Sequence, residues 1–176
     1  MRQLFAVLMS IAALILRTLP AQAEETNPVD LALVMAVDCS GSVDAREFRL
    51  QLDGIASAFR DPEVIAAATA GPHGRIAVNL MLWADPDEQK RVTGWHVIGD
   101  AEGSEAFAKV AESFNVRIGG GTGLGVAVGY GITLLNTTPF QATRKVIDVS
   151  GDGRESWELR EPHYKLQQAQ AALRQT

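Results

Sequence analysis

An α/β fold, with a mainly parallel central sheet, helices on both faces and one short antiparallel strand, is what this sequence predicts. Three observations carry that expectation. Leu31 to Val37 is apolar throughout and Ile76 to Trp83 mostly so, without alternation, as strands covered on both faces require. Between such runs lie segments with apolar residues at helical spacing, so strands and helices alternate along the chain. The strand-like runs break into loops rich in glycine, serine and aspartate, and in open α/β sheets those loops sit where ligands bind.

In chain order, Met1-Arg2, the apolar stretch Leu4 to Leu16 and the small-residue pattern Ala21-Gln22-Ala23 read as an export signal cleaved after Ala23. Its apolar core is shorter than the ~20 residues that span a bilayer. No second apolar span follows, so residues 24–176 are expected as one periplasmic or secreted domain with no integral membrane span. Leu31 to Val37 is the first strand. Asp44 is placed to cap the next helix, with Glu47 three residues on, and Phe48, Leu52, Ile55 and Phe59 form its buried stripe. Asp61-Pro62-Glu63 opens a second short helix that Gly71-Pro72 closes. Arg75 to Trp83 is a strand, and Asp85-Pro86-Asp87 turns it into a shorter antiparallel strand near Arg91 to Ile98. Glu105 to Ser113 is a helix with Phe107, Val110 and Ala111 inward. Leu124 to Leu135 is another, and its small residues Ala127, Gly129 and Gly131 imply a close backbone neighbour. Arg144 to Ser150 is a further strand, and Glu161 to Arg174 a last, polar helix.

With 47% hydrophobic and 21% charged residues in 176, the composition is that of one globular domain. The net charge of −5 and the scattered Lys and Arg exclude nucleic acid as a partner, because phosphates demand clustered basic residues. The single cysteine, Cys39, cannot form an internal disulfide and reads as a small buried filler. A reactive thiol needs an electropositive setting, and Asp38 beside it works against one.

Oxygen ligands leave three strand ends or helix starts. Asp38, Ser40 and Ser42 follow the first strand, Thr122 lies in Gly119-Gly-Gly-Thr-Gly-Leu-Gly125, and Asp152 follows the strand ending at Ser150. Two carboxylates and three hydroxyls, with no His or Cys at metal spacing, suit Mg2+, Mn2+ or Ca2+ and not Zn2+. The first loop taken alone serves equally well as a helix cap.

On those residues the chain resembles a von Willebrand factor A domain with a metal-ion-dependent adhesion site. That family's signature, a DxSxS loop followed by a later Thr and a later Asp, falls on Asp38, Ser40, Ser42, Thr122 and Asp152. Gly41-Ser-Val-Asp44, Trp83 and the run Val146 to Gly153 are similar to a family of exported bacterial A-domain-like proteins, and the resemblance spans roughly residues 28 to 158. It implies a Rossmann-like sheet and a cation touched by the two serines and the threonine. The two aspartates would act through water or from behind the ligands, and one position would stay open for a carboxylate of a protein partner, without catalysis. Cys39 stands at a spacer position commonly filled by other small or apolar residues. The resemblance also implies two further strands after the last helix, so the chain is expected to be truncated, with Arg144 to Ser150 left as an edge or covered by a partner.

Two other functions compete. One is a metal-free structural or interaction domain that keeps the fold alone. The other is a nucleotide-binding enzyme, since Gly119 to Gly125 also resembles the phosphate loop of tubulin-like GTPases. Hydrolysis has less support, because Ser40 and Ser42 lie in no GxSxG elbow and nothing sets His73, His96 or His163 beside them. A magnesium-dependent phosphatase would want a second acid or a lysine near Asp38. Asp148, among Val146, Ile147 and Val149, is expected to be a buried, hydrogen-bonded structural carboxylate. Trp83 and Trp95 are expected in the core or at strand ends.

Overall fold

The computed structural model describes residues 27–85, 91–115 and 119–152. The export signal, the middle of the turn after Asp85 and the helix expected over Glu161 to Arg174 lie outside the described residues. The elements run β1 (Asn27–Asp38), α1 (Ala45–Arg60), α2 (Pro62–Thr69), β2 (Ile76–Trp83), β3 (Arg91–Val92), β4 (His96–Ile98), α3 (Ala101–Ser113), α4 (Leu124–Asn136) and β5 (Phe140–Ser150). The sheet order is β3-β2-β1-β5, with β4 also on β2. β1 is parallel to both β2 and β5, whereas β3 and β4 run antiparallel to β2.

The one short antiparallel strand expected from the sequence is therefore two pieces. Gly94, at φ 77, breaks it. Thr93 keeps the break bonded to β2, its N–H donating to Leu80 O and its Oγ1 accepting from Leu80 N, each at 3.0 Å. A side-chain oxygen thus stands in for a ladder carbonyl.

Helix starts follow the capping chemistry. Asp44 and Glu47 form a reciprocal capping box on α1, and Pro62 occupies the first turn of α2. Asp100 caps α3 by accepting from Gly103 N at 2.8 Å, so this helix begins before Glu105. Gly103 in the first turn weakens the helical signal there.

One face of the sheet packs on α1 and α3. Phe48, Leu52, Ala56 and Phe59 meet Val78, Leu80 and Leu82 of β2 and Phe107, Ala108 and Ala111 of α3. Phe59 and Phe107 stack edge to face with centroids 4.6 Å apart, and buried Ser104 donates to Phe59 O. The other face packs on α4, where Ala32, Val34, Ala36, Met81 and Trp83 meet Ala127 and Leu135. The small residues of α4 admit β5 closely: a Cβ on Gly131 would stand 3.1 Å from Ile147 Cδ1.

Asp148 departs from its expected burial and is exposed. Apolar neighbours made it read as core, yet burial depends on what covers the strand. Among the described residues β5 pairs only with β1, and Asp148 lines an open groove with Gln51, Ile55 and Ser150. Solvent reaches its carboxylate, which needs no protein partner.

Arg60 of α1 clamps α3 through Glu105 and Glu112. Hydrogen bonds from its guanidinium hold both carboxyls below the ordinary glutamate range. This stabilisation is complete above that range and is lost as pH falls through the lowered values. Arg60→Gln is expected to reduce the urea midpoint slightly at neutral pH and not at all in strong acid, the effect staying small because the groups are exposed.

Candidate metal centre

The connection from β1 to β2 runs over one face of the sheet through α1, and the connection into β5 runs over the other through α4. The sheet order reverses between β1 and β5, so their carboxyl ends open into the crevice where such folds bind ligands. Asp38 ends β1, and Asp152 follows β5.

Asp38 is 0% exposed. Its Oδ1 accepts from Ser40 N at 2.8 Å, which turns the chain sharply out of the strand. Its Oδ2 is buried and has no hydrogen-bond partner among the described residues. Ser40, also 0% exposed, places its Oγ 3.1 Å from Ser42 Oγ. Ser42 Oγ then donates to Asp152 Oδ1 at 2.8 Å, joining loops 110 residues apart. Cys39, between these polar groups, turns into the opposite core and donates its thiol to Trp83 O at 3.2 Å.

Thr122 is buried in the glycine loop, and that loop is tied to the residues on either side of Ser40. Gly119 N donates to Cys39 O at 3.0 Å, and Gly120 O accepts from Gly41 N at 2.8 Å. Four predicted site residues thus form one connected cluster, and the fifth sits in a loop bonded directly to it.

Sequence reasoning missed two supports. Asp85, read as a turn residue, accepts from Gly121 N at 3.1 Å and anchors the glycine loop. Gln51 joins the two strand ends, donating to Asp38 O at 3.4 Å and accepting from Ser150 Oγ at 3.1 Å. A cavity of about 290 Å³, lined by Asp38, Val43, Glu47, Gln51, Gly151 and Asp152, opens beside the cluster.

Among the described residues no three His, Cys, Asp or Glu side chains gather as a metal-ligand set. Any cation here would rely on hydroxyl oxygens supplemented by Asp38 and Asp152. Such hard, oxygen-only donors fit Mg2+, Mn2+ or Ca2+. The unpartnered Asp38 Oδ2 fits as well, since a desolvated carboxylate oxygen is costly unless a cation or a donor meets it.

The phosphate-loop reading fares worse. Amide donors of Gly119, Gly121 and Gly123 are already committed to Cys39 O, Asp85 and Ala84 O, so the loop is no open cradle for phosphate. Neither described histidine approaches the serines. His73 N bonds Asp30 near the opposite end of β1, and the His96 ring lies against Phe107.

Among the described residues no helix is long and apolar enough to cross a membrane. No curated protein matches the chain. Among solved structures it is similar to the pilus adhesin SpaC of Lactobacillus rhamnosus GG, with TM-score 0.51 and 19% identity over 75% of this chain and 16% of that one. The vWF domain of the type V pili tip protein Mfa5 of Porphyromonas gingivalis gives TM-score 0.45 and 15% identity over 73% of this chain and 39% of that one. The chain therefore spans about a sixth of the pilus adhesin. The SpaC likeness and the observed strand order show a mainly parallel α/β sheet covered by helices on both faces, the fold that the resemblance to von Willebrand factor A domains implied. Residues 28–174 match the family described as "Protein of unknown function (DUF1194)", and the chain belongs to that family.

Proposed function

We propose that this chain is an exported, non-catalytic, adhesion-type A module. It would hold a Mg2+-like cation on Asp38, Ser40, Ser42, Thr122 and Asp152 and through it capture an acidic group of a protein partner. The single observation that carries the reading is the cluster itself, in which Ser42 bridges Ser40 to Asp152 beside a buried Asp38 oxygen with no partner among the described residues. The resemblance to adhesion-site domains assigns direct contact to hydroxyls, which are neutral, so the bound cation would keep its charge for an external carboxylate. Binding is favoured over catalysis because neither serine has a histidine base among the described residues. That SpaC is a pilus adhesin is of a kind with this role.

Isothermal titration of Mg2+ and Mn2+ into wild type and Ser42→Ala tests the reading. Wild type should bind both ions, and the variant should bind at least about tenfold more weakly, the loss expected when a group supporting the site is removed. Equal binding by the two proteins, or binding by neither, overturns the site.

A further inference from the structure

We propose that the indole N–H of Trp83 belongs to the cation site as a positioning group that shares with Asp38 Oδ2 a water of the bound ion. The inference rests on the cation reading above. Trp83 is 1% exposed and lies among the α4-facing core residues, where a tryptophan serves ordinarily as packing. Its Nε1, however, has no hydrogen-bond partner among the described residues, and the same holds for Asp38 Oδ2. Parallel pairing of β1 with β2 sets Asp38 directly opposite Trp83.

Gly151 shows how near the two groups come. A Cβ on this glycine would stand 3.2 Å from Asp38 Oδ2 and 3.2 Å from Trp83 Cζ2, the ring atom next to the carbon that carries Nε1. Thus two buried groups without a partner among the described residues, a donor and an acceptor, both belong to side chains that lie against Gly151, the residue preceding Asp152. Buried polar groups are retained in native structures when water or an ion completes their bonding. Core packing explains the ring and leaves its N–H without a partner among the described residues.

Indole ¹⁵N–H resonances read the contact directly. The Trp83 signal, assigned by its loss in Trp83→Phe or by elimination with Trp95→Phe and Trp157→Phe, should move when Mg2+ is added to wild type. By calorimetry Trp83→Phe should bind Mn2+ about tenfold more weakly, as loss of one hydrogen bond to a charged network predicts. Its urea midpoint in EDTA should fall only moderately, by the void that the smaller ring leaves in the core. Unchanged Mn2+ affinity in a folded Trp83→Phe overturns the inference whatever the resonance does, and it leaves the cation reading standing. Should that variant not fold, the wild-type resonance decides: a signal unmoved at saturating Mg2+ overturns the inference. A wild type that binds neither ion overturns both proposals.

Discussion

Asp38→Asn should weaken Mn2+ binding about a hundredfold while raising the unfolding free energy of the metal-free protein by about 1–2 kcal/mol. The two effects have one origin. Asparagine matches the carboxylate in shape, and its Oδ1 can still accept from Ser40 N, so the loop keeps its turn. What disappears is a negative charge at a position 0% exposed, one of whose oxygens has no partner among the described residues. Without a cation that charge opposes folding, because desolvation is uncompensated. With a cation the same charge favours binding, and its loss should weaken affinity by about a hundredfold. Calorimetry with Mn2+ and urea unfolding in EDTA measure the two halves separately. A purely structural role for this loop predicts a different pattern: asparagine keeps the turn as well as aspartate does, so Asp38→Asn would leave Mn2+ affinity at the wild-type value. A folded Asp38→Asn protein that retains wild-type Mn2+ affinity would therefore sink the ligand role.

That the cluster around Asp38 was legible from sequence follows from its order and chemistry. Asp38, Ser40 and Ser42 share one tight loop, and Thr122 and Asp152 each sit beside glycines that let backbone approach. Helix α1 was equally plain, because its capping box and its apolar stripe agree. Asp85 and Gln51 were not legible, since their contributions are hydrogen bonds between segments far apart in sequence. No periodicity marks such contacts. Asp148 shows the opposite failure, in which a local apolar pattern predicted burial that depends on what lies over β5. Strand β5 also begins earlier than its apolar run, at Phe140, because its first residues pair with Asn27 to Val29 of β1. Tertiary pairing recruited Gln141 and Thr143, whose polarity disguised them.

Gly120→Ala should cost about 3 kcal/mol of stability and also weaken cation binding, whereas Gly119→Ala should cost only about 1 kcal/mol. Both glycines adopt left-handed backbone, at φ 89 and φ 77, so an alanine is strained at either position. Their surroundings differ. A Cβ on Gly119 meets nothing within 4 Å, while one on Gly120 would stand 2.8 Å from Asp85 Cβ. Rotation of Asp85 cannot relieve that contact, because a Cβ is fixed by its own backbone. The loop itself must shift, and three contacts shift with it: Asp85 Oδ2 to Gly121 N, Gly120 O to Gly41 N, and the segment carrying Thr122. Gly41 separates Ser40 from Ser42, so the displacement reaches the serines from behind. Urea unfolding of the two variants, with Mn2+ titration of each, isolates this effect because Gly119→Ala supplies the conformational cost alone. Equal losses of stability from the two substitutions would show that Asp85 yields freely and that the glycine loop is not held against β2 in the way the hydrogen bonds indicate.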